Sequence, residues 1–212
     1  MNRTALTLLA LLVPATVYAQ DDPKIGVTVS SPGAFGVIWQ VDDRVAVRPE
    51  ITLSRTTSET AGGDVTGAPS PVTDTDGTAV GAALSGLFYF SRKDALRPYV
   101  SPRFSYSRST SSSTTDNGAV TGPTTADSVV STYSGAVSLG AQYGFGRRFS
   151  VWGELGGSYT RTNIASTSTF ATTVTATLNN VTAQVITLQT IHGSGRTNQY
   201  ATRAAVGVIL FF

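Results

Sequence analysis

The chain has 212 residues, no cysteine and a nearly balanced charge, 15 Lys and Arg against 13 Asp and Glu. The absence of cysteine excludes disulfides, thiolate chemistry and a lipid-anchored precursor, and the scattered basic residues form no stripe suited to nucleic acid. A mean hydropathy of +0.06 is the average expected of a wall in which lipid-facing and lumen-facing residues alternate.

The first stretch reads as a targeting segment. Arg3 supplies a positive start, Ala5 to Val13 is a short apolar run, and Val17-Tyr18-Ala19 is a small-x-small cleavage site, so removal after Ala19 is expected. The run is about half the ~20 residues that a membrane-spanning helix needs, and nothing later approaches that length. The chain therefore divides into a signal peptide over 1–19 and a single domain over 20–212.

That domain carries period-2 alternation almost throughout and hardly any 3.6 period. Lys24 to Ser31 and Ala34 to Val41 read as two strands joined by a tight bend at Pro32-Gly33. Next, Val45, Val47, Pro49, Ile51 and Leu53 share one face, opposite Ala46, Arg48, Glu50, Thr52 and Ser54. Val80, Ala82, Leu84, Gly86, Phe88 and Phe90 oppose Gly81, Ala83, Ser85, Leu87 and Tyr89. Between Arg97 and Arg108, Val100, Phe104 and Tyr106 oppose Tyr99, Ser101, Arg103 and Ser105. Tyr133 to Phe145 and Phe149 to Tyr159 alternate likewise, with Gln142, Trp152 and Glu154 on the second face. The final run sets Tyr200, Thr202, Ala204, Val206, Val208, Leu210 and Phe212 against Ala201, Arg203, Ala205, Gly207, Ile209 and Phe211. Each run approximates the 9–11 residues with which a tilted strand crosses the hydrocarbon layer.

The connections differ in length. Asp42-Asp43-Arg44, Ser91 to Leu96 and Gly146-Arg147 are short, whereas Thr57 to Thr78, Ser109 to Ser131 and Thr162 to Thr197 are long and rich in Ser, Thr, Gly, Asn and Pro. Outer-membrane barrels have short periplasmic turns and long external loops, and placing both termini in the periplasm puts every connection on the matching side. The expected fold is all-β: an up-and-down antiparallel transmembrane β-barrel of eight strands. Ten is the alternative, because Phe170 to Leu178 and Val181 to Ile191 resemble a further hairpin around Asn179-Asn180. The aliphatics of that hairpin do not keep to one face, which favours eight.

The ending Val206-Gly207-Val208-Ile209-Leu210-Phe211-Phe212, apolar at alternate positions and closed by an aromatic, resembles the C-terminal recognition signal of bacterial outer-membrane proteins. Together with the targeting segment and the strand pattern, the chain resembles the outer-membrane β-barrel domain family of small porin-like proteins. It looks like an OmpA/OmpX-type barrel without the periplasmic domain, so no peptidoglycan-binding residues are expected. The resemblance implies that Tyr200, Val206, Val208, Leu210 and Phe212 form the signal read by the barrel-assembly machinery. It also implies residence in the cell outer membrane.

Five charges share the inward parity: Arg48, Glu50, Arg103, Glu154 and Arg203, joined by Gln40 and Gln142. An eight-stranded barrel is just wide enough for side chains to fill it, and buried charges must be paired, so an ion network across the lumen is expected. Arg55, Arg108 and Arg161 have the opposite parity near external strand ends, where guanidinium groups can hold lipopolysaccharide phosphates. Tyr99, Tyr106, Tyr133, Tyr143, Tyr159, Tyr200, Phe90, Phe145, Phe149 and Phe212 read as interfacial girdles. Glu59, Asp64, Asp74, Asp76, Asp116 and Asp127 make the first two long connections mildly acidic, as expected of mobile, solvated surface. His192, in the sequence His192-Gly193-Ser194-Gly195, is assigned to the last external loop and has no local acid to orient it.

Four functions compete on these grounds. A structural or surface-interaction barrel with a filled lumen leads; a narrow pore for small solutes or ions is the alternative. A lipid A-modifying enzyme using His192 and a soluble lipocalin-like binder rank below. The reading carries no catalytic residue, cofactor, metal or nucleic-acid partner. Its partners are outer-membrane lipid and the assembly machinery, and its state is a monomer.

Overall fold

A computed structural model describes residues 25–31, 33–62, 71–91, 95–116, 124–178 and 181–212, with side chains for all of these except 172–186. The expected signal peptide lies outside these residues, as do Lys24 and Pro32 of the first hairpin. Eight strands follow one another in chain order around a closed barrel. They are β1 Ile25–Ser31, β2 Ala34–Gln40, β3 Val45–Ala61, β4 Val72–Tyr89, β5 Leu96–Asp116, β6 Thr124–Phe145, β7 Phe149–Leu178 and β8 Val181–Phe211. Every pairing is antiparallel, and β8 closes onto β1 through Gly26↔Phe211 to Ser31↔Val206.

The alternation in sequence becomes two surfaces of opposite chemistry. Outward positions carry Ile51, Leu84, Phe104, Val137, Leu139, Leu155 and Val206, all exposed; Leu139 keeps 66% of its surface open. Inward positions carry Arg48 and Glu154 as well as Ile38, Leu87, Tyr99, Trp152 and Ile209, all buried. This polarity is inverted relative to a soluble closed barrel, whose apolar set faces inward.

Register fixes the width of the tube. From Ile51 the pairing runs through Ala82, Tyr106, Tyr133 and Arg161 to Asn198 on β8. In the other direction it runs through Phe35 and Val29 to Val208. The two arrivals on β8, 208 and 198, differ by ten residues, which is the stagger of the closure. With ~3.3 Å per residue and ~4.8 Å between strands, that stagger tilts the strands by roughly 40° and sets a backbone radius of roughly 8 Å. Side chains fill such an interior.

The short turns lie at the end that holds both described termini. Asp42 Oδ1 accepts backbone N–H groups of Arg44 and Val45 at 2.6 and 2.8 Å, and so bends β2 into β3. Gly146, at φ 73°, supplies the left-handed step between β6 and β7.

At the other end the structure departs from the expected long loops. Most of Thr57 to Thr78, Ser109 to Ser131 and Thr162 to Thr197 continues the strands. Only residues 62–71, 117–123 and 179–180 separate β3 from β4, β5 from β6 and β7 from β8. The hairpin that suggested ten strands is the continuation of β7 and β8, paired without a break from Phe149↔Leu210 to Leu178↔Val181. β-Branched Thr suits an extended backbone, and hydroxyls bridge adjacent strands: Thr73 to Thr115 at 2.9 Å, Ser111 to Ser128 at 3.1 Å, Thr169 to Thr190 at 3.2 Å.

Closure stops where β1 and β2 stop. β2 pairs β3 only as far as Thr52, and β1 pairs β8 only from Val206 onward. Beyond that level β3 to β8 continue as a ladder, and no described strand pairs the outer edges of β3 and β8.

Candidate functional site

The inward faces of β3, β5, β7 and β8 converge on one charged cluster. Arg48 lies beside Ser85, which lies beside Arg103; Glu154 faces Gly140 on one side and Ala205 on the other, and Arg203 lies beside Gly156. These rows bring Arg48, Glu50, Arg103, Glu154 and Arg203 together across the lumen. Glu154 is the hub: Oε1 accepts from Arg48 Nη2 at 2.6 Å and from the Tyr99 hydroxyl at 3.1 Å, while Oε2 accepts from Arg203 Nη1 at 2.9 Å. Glu50 pairs with Arg103, accepts from the Ser30 hydroxyl at 3.4 Å, and stands 3.7 Å from Arg48 Nε. That last separation allows ionic attraction but no hydrogen bond, and Arg48 Nε and Nη1 are buried without a hydrogen-bond partner. The Arg48 guanidinium lies 4.0 Å from the Trp152 ring centroid, a cation–π contact that offsets part of its desolvation.

Aromatic groups wall the cluster. Tyr99, placed among the interfacial girdles by its position near a strand end, is wholly buried in the lumen, because its parity on β5 is that of Ser101 and Arg103. Its ring lies 5.3 Å from that of Tyr89, whose hydroxyl donates to Gln142 Oε1 at 2.7 Å. Trp152 Nε1 donates to Thr28 Oγ1 at 3.2 Å. Both the Tyr99 and Trp152 rings lie close against the wall at a glycine, where it has no side chain. A Cβ on Gly140 would stand 2.6 Å from the Tyr99 ring, and one on Gly207 2.6 Å from the Trp152 ring. Gln40 and Gln142 are also buried, as their parity predicts.

Sequence reading missed Tyr99, Trp152, Tyr89, Ser85 and Ser138 as members of this cluster. It also passed over Arg97, whose Nε is buried without a partner. Each of them has the inward parity, but parity gives the face of a strand and not the partner across the lumen.

Bulky side chains pack the lumen at the level of the cluster, since Arg48, Tyr99, Ile38, Leu87, Ile209 and Gln142 are almost fully buried. Farther from the short turns the lining changes. Beyond Arg103 the inward positions of β5 are Ser105, Ser107, Ser109, Ser111, Ser113 and Thr115, all uncharged.

Arg55, Arg108 and Arg161 lie exposed on the outer face. Arg161 shares a row with Tyr106 and Tyr133; Arg108 lies one row farther out, in register with Arg196, which sequence reading had not selected. Arg55 is bound to Asp76, Nη2 to Oδ2 at 2.9 Å, and this hydrogen bond raises its guanidinium above the ordinary value. The acidic residues Glu59, Asp74, Asp76, Asp116 and Asp127 lie on strands rather than in mobile loops, while Asp64 lies outside the described residues. His192 is likewise on a strand, β8, exposed and with Nδ1 3.1 Å from Thr167 Oγ1. The alternating sidedness that places these groups has no apolar counterpart, so the sequence read as loop.

Outward aromatics gather in two bands. Tyr106–Tyr133 and Tyr159–Tyr200 pack at 5.0 Å, and Tyr143–Phe145 and Phe145–Phe149 pack at 4.8 and 5.8 Å. Tyr200, Val206, Val208, Leu210 and Phe212 share the outer face of β8 and its end, all exposed.

No family model and no curated protein matches the chain. Among solved structures it is similar to Acinetobacter baumannii CarO, with a TM-score of 0.40 and 12% identity over 92% of this chain and 100% of that one. It is similar to Acinetobacter baumannii CarO2, with a TM-score of 0.40 and 13% identity over 90% and 99%. A major outer membrane protein from Thermus thermophilus gives 0.44 and 13% over 89% and 98%.

Proposed function

We propose that this chain is an integral outer-membrane β-barrel of the small porin-like, OmpA/OmpX kind, with a structural or surface-interaction role and a lumen closed by its own side chains. The inverted polarity carries the reading: apolar residues cover the outside and paired charges fill the inside. Water would not leave Leu139, Leu155, Val137 and Phe104 uncovered on one continuous face. The span also fits. Tyr133 and Tyr143, one in each aromatic band, are ten residues apart on β6. At ~3.3 Å per residue and a tilt of roughly 40° that is about 25 Å, the height of the apolar band in this class of barrel.

In this reading a signal peptide exports the chain from the cytoplasm of a Gram-negative-type cell. The barrel-assembly machinery reads Tyr200 through Phe212, and the barrel works as a monomer without catalysis or cofactor. Arg161 sits in the row of the outer aromatic band and Arg55, Arg108 and Arg196 just beyond it, where lipopolysaccharide phosphates lie. The strand extensions hold a mixed acidic and basic outer face above the membrane, a surface for contact with other molecules. A narrow pore is the second reading, favoured by the partial exposure of Arg103 and Arg203 at the edge of the cluster.

Leu139→Arg tests the membrane placement. Refolded into lipid vesicles, the variant should lose roughly 2–4 kcal/mol of unfolding free energy, as a charge on a lipid-facing midplane position does. On a water-facing wall the change stays within about 0.5 kcal/mol, and that result would reject the reading.

A further inference from the structure

We infer that the barrel is open sideways toward the outer leaflet, between β3 and β8, and that this opening holds the phosphate of a membrane lipid on Arg203. The inference rests on the membrane placement proposed above. Along β8 the last pair with β1 is Ser31↔Val206, whereas Tyr200 of the outer aromatic band lies six residues farther out. At ~3.3 Å per residue and a tilt of roughly 40°, that interval rises about 15 Å. The β1–β2 bend fills its lower part, and roughly 8 Å of wall, two strands wide, is left open below the band.

Exposure marks the same place independently. Inward residues of β3 are buried up to Glu50, but Ser54 and Thr56 are exposed, like Leu53 and Arg55 on the outward side. On β8, Ala205 is buried, whereas Ala201 and Gln199 are exposed on the inward parity as Tyr200 and Thr202 are on the outward one. The inward Ser158 and Thr160 of neighbouring β7 stay half-buried. Both edge strands lose their enclosed side where β1 and β2 end.

Chemistry selects the occupant. Open strand edges are not left bare in hydrocarbon, so a polar group must meet the edges of β3 and β8 that no described strand pairs. Outside, Leu53 and Tyr200 flank the opening with 65% and 83% of their surface exposed. Inside is a surplus of positive charge: Arg48, Arg103 and Arg203 stand against Glu50 and Glu154, whose four carboxylate oxygens all face a guanidinium already. Arg203 lies on β8 beyond its last pair with β1 and keeps 21% of its side chain open. Its Nη1 donates to Glu154 and Ser138; among the described residues its Nε and Nη2 have no hydrogen-bond partner. A guanidinium with that edge free binds a phosphate through two parallel N–H donors. Arg203 is three residues below Tyr200, about 8 Å, within reach of a headgroup that tilts into the opening. No acidic residue lies over 52–58 of β3 or 199–205 of β8 to repel it. A lipid with an anionic phosphate satisfies both sides, its head in the lumen and its acyl chains in the bilayer.

Because the chain has no cysteine, each introduced thiol is a single labelling site. A bimane fluorophore on Ala201→Cys reports lipid at the opening, on Ser105→Cys the walled inner face of β5, and on Leu139→Cys the lipid-facing wall. Each refolded protein is titrated, in phosphatidylcholine vesicles, with phosphatidic acid or phosphatidylcholine carrying a doxyl quencher near the head of one acyl chain. At Ala201→Cys, half-quenching should need at least about tenfold less labelled phosphatidic acid than labelled phosphatidylcholine, the factor of one charge-assisted hydrogen bond. Ser105→Cys should respond weakly to either lipid, and Leu139→Cys equally to both. Adding Arg203→Gln should erase the preference at Ala201→Cys; Arg203→Lys, which keeps the charge but loses the planar fork, should lower it severalfold. Heat-modifiable gel mobility identifies the folded variants. Equal quenching by the two lipids at Ala201→Cys, or a preference undiminished in whichever Arg203 variant folds, overturns the inference. Displacement of phosphatidic acid by millimolar inorganic phosphate also overturns it, by assigning the site to the free anion. Loss of quenching at Leu139→Cys would instead reject the membrane placement, so the two failures are told apart.

Discussion

Replacing Glu154 by Gln removes one charge and almost no volume, and so isolates what the hub contributes. In the native cluster the carboxylate accepts from Arg48, Tyr99 and Arg203 at 2.6, 3.1 and 2.9 Å. A carboxamide keeps a single acceptor oxygen, so its NH₂ must face either Arg48 Nη2 or Arg203 Nη1, donor against donor. The charge surplus of the five groups rises from one to two. Arg203, with 21% of its side chain open, can turn partly to solvent. Arg48 is wholly buried and cannot. Losing one partner of a buried ion pair costs about 3–5 kcal/mol, and the Arg48 side of the hub places Glu154→Gln in that range. Urea unfolding of the refolded protein, followed by tryptophan fluorescence, measures the loss. Adding Arg48→Met should recover a large part of it, because the stranded charge goes with its partner. A single-variant loss below about 1 kcal/mol would show that the cluster is hydrated and screened, and would refute the argument from burial.

Gly140→Val should destabilise by about 1–3 kcal/mol, since its Cβ meets the Tyr99 ring at 2.6 Å; adding Tyr99→Ala should relieve the clash, and an additive pair would rule the clash out. The triple change Arg55→Ser, Arg108→Ser, Arg161→Ser should reduce lipopolysaccharide co-purifying with the barrel severalfold, with Arg196 left to hold a remainder; unchanged retention would sink the lipid contact. In planar bilayers the refolded protein should be electrically silent. Stable openings whose selectivity changes with Arg103→Gln would replace the closed-lumen reading with the narrow pore.

Sidedness in the lower barrel was legible because apolar and polar residues alternate there. On β8, Val206, Val208 and Leu210 alternate with Gly207, Ile209 and Phe211, and a slip of one residue would put Arg203 on the apolar outer wall. The upper ladder has no such constraint. Ser109-Thr110-Ser111-Ser112-Ser113-Thr114-Thr115 presents hydroxyls to both sides, so neither hydropathy nor period separates strand from loop. Only pairing reveals it, as in Ser111↔Ser128 and Thr115↔Thr124, and pairing is a property of two segments rather than one. The charged members of the lumen were legible by parity, since each interrupts a face. Tyr99 and Trp152 share that parity, but parity gives only the face, and the wall that an inward ring reaches is unknown until the opposite strand is placed. Gly140 and Gly207, facing those rings, are the complementary half of that information and lie on other strands.

Volume explains why the barrel is inverted in this way and not the other. Both faces of each strand are available to line a tube with a radius of roughly 8 Å, so one set must fit that interior. The outward set is bulky at the same level on successive strands: Leu139 pairs Leu155, and Leu84 pairs Phe104. Turned inward, these pairs would collide across the tube. The inward set interleaves large and small residues. Arg48 faces Ser85, Tyr99 faces Gly140, Trp152 faces Gly207 and Glu154 faces Ala205, so each long side chain reaches over the bare backbone of a neighbour. That interleaving fills the centre without overlap, and its charges are tolerated because each glutamate lies between arginines. Steric fit and charge pairing therefore select the same face for the inside, and the remaining face, apolar at the level of the cluster, is the one that the proposed reading turns to lipid.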